Sequence, residues 1–326
     1  MKLQILIPQW LETDEVIKPL LDSLAIQQNV DLEHDLGVII ANDGSDVFLS
    51  DELLNSYPFR IEYYKRPHEG VSATRQYCLD KATAEYVMFC DADDMFYNAC
   101  GLWILFKEME GEGFDSLISV FVEETRIPDT KEVAYINREM DSTFVHGKVH
   151  RRKYLVDNDI RWNPDLTIHE DSYFNIQCQR LSTKVKYCQA PFYLWKWRDD
   201  SICRHDPKYI LKTFNNMLDS SDACIQQFIK RNKITIAKQL ATSMIFDCYF
   251  TMNKKEWLDQ ENQQYRHDTE VRFKEYYLRY KEYFETIDEK EKNNIIVGVK
   301  NRMFQEGLMM ESITFHDWIQ EILKLD

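Results

Sequence analysis

The chain has 326 residues, with 40 Lys and Arg against 55 Asp and Glu, and a formal net charge of −15. An apolar content of 44% is enough for a sizeable buried core and excludes a globally disordered chain. Only 9 glycines and 8 prolines exclude collagen-like and linker-like sequences. The negative charge argues against a protein that coats nucleic acid or anionic membranes through bulk electrostatics.

The acidic residues are concentrated in the first two thirds of the chain. Residues 1–206 carry a net charge of −14, and residues 207–326 carry a net charge of −1. At about 100–200 residues per domain, this asymmetry predicts two domains with different roles, 1–206 and 207–326.

The cysteine pattern and the apolar runs indicate the compartment. Eight cysteines include no CxxC pair and no zinc-like spacing, which favours buried, reduced thiols. The apolar run at the N-terminus meets Pro8, Trp10 and Glu12 too early for a signal peptide. No run reaches the roughly 18 apolar residues that span a bilayer. We therefore expect a cytoplasmic protein without a membrane span.

Strand-like and helix-like segments alternate in the first 110 residues. Buried strands are predicted over 3–8, 37–43, 60–66 and 86–90, and helices over about 14–28, 71–82 and 98–110. This alternation indicates an α/β fold in which a parallel sheet is covered on both faces. Ligands bind such sheets at the carboxyl ends of the strands, where two predicted strands end in acids, at Asp43 and at Asp91.

The pattern changes after residue 115. Strand-like segments follow over 116–124, 131–137, 143–150 and 184–197, and 169–181 is a predicted helix that begins with acids. Helices are then predicted almost to the end, over about 209–231, 234–252, 255–285, 290–306 and 313–325. Aromatic side chains at helical spacing within 271–287 predict helix packing, with a subunit interface or a polymer-binding surface as the alternatives.

Asp91-Ala92-Asp93, directly after the strand at 86–90, is the strongest single motif. If the strand alternation continues, both carboxylates point to the same side. Carboxylate oxygens suit a hard divalent cation that keeps positions for water or substrate phosphates. A solvated acidic turn is the alternative, and an aspartyl-phosphate motif is disfavoured because Asp94-Met95 follows.

Four segments in chain order resemble the motifs of family 2 glycosyltransferases with the GT-A fold. They are LQILIPQW (3–10), IIANDGSD (39–46), HEGVSATRQYCLDKATAEYVMFCDADD (68–94) and HEDSYFN (169–175). The resemblance covers roughly residues 1–205. It implies a Rossmann-like mixed sheet flanked by helices, here followed by an all-helical C-terminal region. It also implies an inverting enzyme that moves a sugar from a nucleotide diphosphate to an acceptor hydroxyl, with Mn²⁺ or Mg²⁺ as cofactor.

The resemblance assigns the base pocket to the ends of the first two strands. Asp43 matches the family acid that hydrogen-bonds the nucleotide base, and the backbone near Pro8 is expected to line the same pocket. The family's usual aromatic-or-Arg plus Asn after that proline is replaced by Gln9-Trp10, which leaves the side-chain contacts there open.

The diphosphate and metal positions follow in the same way. Arg75 matches a basic residue near the nucleotide, and its guanidinium suits a diphosphate. Asp91 matches the acid on the ribose side, and Asp93 the metal ligand. Arg198 and His205 lie in a segment that resembles the part of the family that closes over the donor. We expect Arg198 to bind the nucleotide sugar and His205 to complete the metal site.

Asp171 is the candidate general base. An inverting displacement needs a carboxylate that takes the proton of the acceptor hydroxyl as its oxygen attacks the anomeric carbon. The first turn of a helix favours an ionised Asp171 at neutral pH. Glu170 is the adjacent alternative, and His146 and His169 are either acceptor-site or packing residues.

The leading function is a transferase that uses a nucleotide sugar, expected to be a UDP-sugar, and acts on a surface glycan or wall polymer. An alternative is a phage-type enzyme that glycosylates a hydroxymethylated base in DNA, although the acidic region disfavours duplex binding. A catalytically inactive nucleotide-sugar binder is disfavoured because all four motif acids are present. The helical region 207–326 is expected to bind the acceptor or to form a homo-oligomer.

Overall fold

The computed structural model describes residues 1–127, 129–139, 141, 143–199, 201, 206, 208–305 and 313–325. The chain divides into two compact units, Met1–Asp199 and Asp200–Asp326. The functional domain assignment, 1–206 and 207–326, stays a prediction.

Within the described part of the first unit, nine strands form one mixed sheet. They are β1 (Leu3–Gln9), β2 (Leu36–Asn42), β3 (Arg60–Lys65), β4 (Tyr86–Phe89), β5 (Met95–Phe96), β6 (Ser116–Arg126), β7 (Val133–Arg138), β8 (Lys148–Arg151) and β9 (Val185–Trp195). Their order is β3-β2-β1-β4-β8-β6-β9-β5, and β7 pairs with β6. The α/β fold with a mixed sheet is thus confirmed. The parallel arrangement expected from the first 110 residues holds for β1 to β4, whereas β8 is antiparallel to β4 and β6.

Helices cover both faces of this sheet. They are α1 (Asp14–Ala25), α2 (Leu32–Asp35), α3 (Asp51–Leu54), α4 (Val71–Lys81), α5 (Gly101–Met109), α6 (Arg152–Asp157) and α7 (Glu170–Arg180). Alternate residues of β1 enter different cores: Leu3, Ile5 and Ile7 lie in the cluster that includes α1 and α5, and Leu6 lies in the cluster that includes α4 and α7. Burial on both faces explains the nearly continuous apolar runs of β1 and β2.

The parallel strands bring the acidic motifs to one edge. The Asp43 amide donates to the Gln9 carbonyl (2.7 Å), and the Cys90 amide donates to the Leu6 carbonyl (3.0 Å). The segments after β2 and β4 therefore leave the sheet on either side of β1. Strand alternation does not continue into the motif, because β4 ends at Phe89 and residues 91–94 form a turn. The expectation that the carboxylates at 91 and 93 point to one side as in a strand is wrong for this reason.

The second unit is helical in its described residues. Its helices are α8 (Tyr209–Lys230), α9 (Ile234–Met252), α10 (Lys255–Leu258), α11 (Gln263–Thr286), α12 (Glu289–Gln305) and α13 (Phe315–Ile322). The helix predicted over 255–285 is interrupted by a short 3₁₀ turn at Gln260–Asn262. The aromatic residues of α11 that were expected to pack are buried, which confirms that prediction: Phe273, Tyr276, Tyr277, Tyr280 and Phe284.

Neither membrane-spanning helices nor disulfides occur in the described part of the chain. No helix there combines the length and the apolar character that crossing a bilayer requires. The seven described cysteines are free thiols, and six of them are buried.

Candidate active site

Arg75 connects carboxylates from two separate segments of the chain. It lies in α4, and its Nη1 donates to Glu170 Oε1 (2.9 Å) and Asp171 Oδ1 (2.7 Å), while Nη2 donates to Asp91 Oδ1 (2.8 Å). The guanidinium also lies 4.9 Å from the centre of the Trp162 ring. Burial opposes the charge, but the surrounding carboxylates outweigh it and raise the pKa of Arg75. A permanent buried cation therefore joins the end of β4 to the start of α7.

Asp91 is the part of this cluster that reaches solvent. Its side chain is 33% exposed, against 5% for Arg75. Burial opposes ionisation of Asp91, but the charges of Arg75 and His146 and the hydrogen bond from Arg75 hold its pKa below the usual value. Asp91 is thus an ionised carboxylate at the open side of the site.

Asp93 pairs with Arg198. The Nη1 of Arg198 donates to Asp93 Oδ2 (2.8 Å) and lies 4.0 Å from Glu12 Oε1. Burial and the charge of Asp91 raise the pKa of Asp93, with Arg198 opposing. The structure thus brings together two of the predicted residues, Asp93 and Arg198. The third member of that prediction, His205, lies outside the described residues.

Asp94 is a site residue that the sequence reasoning missed. It is buried, accepts from the Tyr193 hydroxyl (2.5 Å) and accepts from the Lys196 amide (2.9 Å). Burial, together with the charges of Asp93 and Asp91, raises its pKa well above the usual value. Three acids within residues 91–94 indicate closely spaced charges at this turn. No local sequence pattern predicts that Asp94 bonds to a tyrosine 99 positions later.

These acids supply a donor set that fits a hard divalent cation. Asp91, Asp94 and His146 each offer a ligand atom, and these atoms lie within 4.8 Å of one another. Carboxylate oxygens with an imidazole nitrogen suit Mn²⁺ or Mg²⁺. A cation would also offset the repulsion that raises the pKa of Asp93 and Asp94. Asp93 is not part of this group, and its role as the metal ligand stays a prediction.

Asp43 ties the end of β2 to the start of α4. Its Oδ1 accepts from the Glu69 amide (3.0 Å) and the Thr74 hydroxyl (2.8 Å), and its Oδ2 accepts from the Gly70 amide (3.0 Å). The Nδ1 of His68 lies 2.9 Å from Oδ2. Each carboxylate oxygen has two lone pairs, so the Glu69 amide and the Thr74 hydroxyl fill Oδ1, whereas the Gly70 amide fills one of the two on Oδ2. The hydrogen bond of His68 Nδ1 goes to the Asp43 main-chain carbonyl (3.0 Å), and the base contact of Asp43 stays a prediction.

Gln9 explains the departure from the family pattern after Pro8. Its side chain is buried and donates to the carbonyls of Glu12 (2.9 Å) and Val47 (3.0 Å). Gln9 therefore braces the loops after β1 and β2. Trp10 is 51% exposed and stacks on the ring of His68 at 5.6 Å, beside Asp43. Pro8, which is predicted to line the base pocket, thus lies at a strand end where the buried Gln9 side chain holds the adjacent loops in place.

Asp171 lies in the first turn of α7. Its Oδ1 contacts Arg75 and its Oδ2 accepts from the Val145 amide (3.1 Å). Burial, with Glu170 and Asp91 adding to it and Arg75 opposing, raises the pKa of Asp171 to about 7. Burial thus opposes the ionised form that the first turn of the helix favours. A carboxyl with a pKa near neutrality suits a general base.

The turn at residues 143–147 holds Asp171 from the other side. Asn175, one helical turn after Asp171, donates to the carbonyls of Thr143 (2.8 Å) and Phe144 (3.0 Å). Sequence reasoning missed Asn175, although its spacing of four places it on the same face of α7 as Asp171. The turn that bonds to Asp171 is thus itself held in place by Asn175, a second side chain of α7.

The fold and these motifs agree with a known family. The family model for glycosyl transferase family 2 matches residues 4–168, just over half of the chain. The chain belongs to glycosyl transferase family 2, as its motifs predicted.

Several bacterial proteins are similar to part of this chain. The chain is 24% identical to Glycosyltransferase GlyA of Streptococcus pneumoniae over 228 residues, which cover 62% of this chain and 32% of GlyA. It is 23% identical to Poly(ribitol-phosphate) beta-N-acetylglucosaminyltransferase TarS of Staphylococcus aureus over 211 residues, which cover 60% and 35%. The chain thus spans about a third of the length of these relatives.

Solved structures show the same fold. Residues 1–349 of S. aureus TarS in complex with UDP superpose with a TM-score of 0.61 at 15% identity, covering 94% of this chain and 92% of that one. Mannosyltransferase PcManGT of Pyrobaculum calidifontis, in complex with GDP-Man and Mn²⁺, superposes with a TM-score of 0.50 at 12% identity, covering 99% and 84%.

Proposed function

We propose that the protein is an inverting, metal-dependent glycosyltransferase that moves a sugar from a UDP-sugar to a hydroxyl of a wall or surface polymer. The observation that carries the proposal is the Arg75 cluster, in which one guanidinium contacts both Asp91 and Asp171. A donor-side acid and a candidate base are thereby held at one guanidinium. A direct displacement needs both groups at one site, because the leaving nucleoside diphosphate and the entering hydroxyl react at the same anomeric carbon.

Arg75 has a second role in this proposal. In the described geometry it occupies Asp171 Oδ1. A diphosphate that enters beside Asp91 competes for the same guanidinium, since Arg pairs strongly with phosphate. Asp171 Oδ1 is then released to accept the proton of the acceptor hydroxyl. The acceptor oxygen, having given this proton to Asp171, forms the bond to the anomeric carbon as the nucleoside diphosphate leaves with the electron pair of the broken bond.

A divalent cation held by Asp93 and its neighbouring acids would offset the charge of the leaving diphosphate. Asp93 and Arg198 form a ready ion pair in which the cation would take the place of the guanidinium. Arg198 would then be available for the donor phosphates.

The names of the relatives support the choice of donor and acceptor. TarS is described as a poly(ribitol-phosphate) β-N-acetylglucosaminyltransferase and GgaB of Bacillus subtilis as a minor teichoic acid biosynthesis protein. Two TarS structures contain UDP and UDP-GlcNAc, respectively. A hydroxyl-bearing wall polymer is therefore the acceptor class that we propose.

Donor hydrolysis tests the proposal before an acceptor is known. The protein is incubated with a panel of UDP-, GDP- and dTDP-sugars, with Mn²⁺, with Mg²⁺ or with a chelator. We expect hydrolysis of a UDP-sugar only with metal, and its loss in Asp93→Ala, with Asp157→Ala as an exposed control. Hydrolysis that is equal with and without chelator overturns the metal dependence, and a GDP- or dTDP-sugar as the preferred substrate overturns the choice of UDP.

The helical residues 207–326 are proposed to bind the acceptor or a second copy of the chain. Their net charge of −1 allows approach of a polymer that the acidic region would repel. Light scattering of the full chain with and without polymer separates the two roles, since a stable dimer without polymer favours the oligomer.

A further inference from the structure

Tyr193 of β9 contacts both ends of the turn that carries the donor-side acids. Its hydroxyl donates to Asp94 Oδ2 (2.5 Å) and accepts from the Asp91 amide (3.3 Å). The turn needs such support because β4 has already ended at Phe89. Within the turn, the Asp94 amide donates to the Asp91 carbonyl (3.2 Å). One buried hydroxyl thus bridges the first and the last residue of the turn.

Asp94 also connects the turn at 91–94 to the segment that follows β9. Its second oxygen accepts from the Lys196 amide (2.9 Å), and Arg198, two residues further on, pairs with Asp93. A shift of Asp94 would therefore move the acids and their basic partner together. The side chain of Asp94 is 2% exposed, so it acts through these contacts and not by touching substrate.

The ring of Tyr193 contacts the base side of the site. It stacks on the His146 ring with centroids 4.9 Å apart and an angle of 21°. His146 follows Val145, whose amide donates to Asp171 Oδ2 (3.1 Å). Tyr193 is thus placed between the turn at 91–94 and the segment that orients the candidate base.

We propose that Tyr193 is a positioning residue that sets the donor-side acids in register with the general base, through its hydroxyl on one side and its ring on the other. The inference rests on the proposed function, because it assigns the turn at 91–94 to donor binding. Tyr193 lies outside the four segments that resemble the family motifs.

Tyr193→Phe tests it, because the variant keeps the ring and removes the hydroxyl. Tyr154→Phe is the matched control: its hydroxyl is also buried and donates to the Cys178 carbonyl (2.9 Å), away from the turn. We expect the KM for the UDP-sugar and the Kd for Mn²⁺ with UDP to rise about tenfold in Tyr193→Phe, because the hydroxyl that bridges Asp91 and Asp94 is lost. The KM for the acceptor stays within about twofold, and the control changes neither constant.

Amide hydrogen exchange gives a readout that does not depend on activity. The Asp91–Asp94 segment is expected to exchange about tenfold faster in Tyr193→Phe than in Tyr154→Phe, because its bridging hydroxyl is lost. Unchanged exchange overturns the inference, and so does faster exchange with unchanged donor KM and Mn²⁺–UDP affinity, which would make the hydroxyl merely structural. A wild-type protein that transfers no sugar overturns the proposed function, and exchange alone then decides whether Tyr193 holds the turn.

Discussion

Asp171 must be deprotonated before it can accept a proton, and its burial sets the pH at which this happens. Its pKa is raised to about 7, so the carboxyl is protonated below that pH and ionised above it. We expect kcat/KM to fall about tenfold per pH unit below pH 7 and to level off above it, as for an essential base of the free enzyme. The measurement is a pH profile of kcat/KM for the donor.

Asp171→Asn should reduce transfer by about 10²–10⁴-fold, the usual contribution of a general base, while near-UV circular dichroism stays unchanged. Glu170→Gln is the matched neighbour and should keep transfer activity, with the pH profile moved to lower pH because a charge that raises the pKa of Asp171 is removed. Near-normal turnover of Asp171→Asn would rule out the assignment of the base.

Arg75 is the only described cation that contacts both Asp91 and Asp171. Arg75→Met removes the charge but keeps much of the volume, and it leaves the acids without a buried partner. We expect the free energy of unfolding at pH 7.5 to fall by about 3–5 kcal/mol, as for other broken buried pairs. Urea unfolding measures the change.

The pH dependence of this loss has a definite sign. Without Arg75, the pKa values of Asp91 and Asp171 rise above those of the unfolded chain, so protonation favours the folded state as the pH falls. The loss should therefore be smaller at pH 5 than at pH 7.5. Arg161→Met, whose exposed partners are Asp80 and Asp159, should cost less than about 1 kcal/mol at either pH. An equal cost for the two variants would contradict the buried network.

The predicted site residues that lie in the family motifs are also close together in the structure. Arg75, Asp91 and Asp171 share one cluster in the structure, and each lies in a segment that the family pattern identified. Asp94 and Tyr193 could not be paired from the sequence, because their contact joins residues 99 positions apart. The raised pKa of Asp171 was missed for a related reason, since burial depends on tertiary packing whereas the helix dipole is local.

At the scale of elements, the loop after β2 depends on Gly44. Gly44 has φ of +77°, and a Cβ there would lie 2.3 Å from the backbone nitrogen of His68. Gly111 has φ of +75°, and a Cβ there meets nothing within 4 Å. Alanine at either position has the same left-handed strain of about 1–2 kcal/mol. Only Gly44→Ala must also move the segment that bonds to Asp43.

We therefore expect Gly44→Ala to lower the free energy of unfolding by more than Gly111→Ala, and to raise the KM for the donor about tenfold or more, as small displacements at active sites do. Gly111→Ala should leave that KM unchanged. Urea unfolding and donor kinetics of both variants provide the check. Equal effects on the donor KM would show that the loop does not shape the base pocket.

The elements of the first 110 residues were predicted closely, because strands buried on both faces and amphipathic helices leave strong local patterns. β2 and α4 begin and end within about one residue of their predicted bounds. The strand predicted over 143–150 is shorter, and β8 occupies only Lys148–Arg151. The carbonyls of Thr143 and Phe144 bond instead to Asn175, a partner on α7 that no local pattern reveals.

At the scale of the whole molecule, the uneven charge has a consequence for the proposed acceptor. Residues 1–206 carry a net charge of −14, and a polyol-phosphate polymer is also negative. Their repulsion is screened as salt rises, because the Debye length falls from about 30 Å at 0.01 M to about 8 Å at 0.15 M. A protein that binds duplex DNA shows the opposite dependence, since salt weakens phosphate contacts.

We expect the KM for an anionic polyol-phosphate acceptor to fall severalfold as ionic strength rises from about 0.01 to about 0.15 M, the range over which exposed charges become screened. The KM for a neutral sugar acceptor should stay constant over the same range and serves as the control. Steady-state kinetics with both acceptors provide the measurement. A KM for the anionic polymer that rises with salt would mean that local basic groups, and not the net charge, govern acceptor binding, and tight duplex binding at low salt would return DNA to consideration as the acceptor.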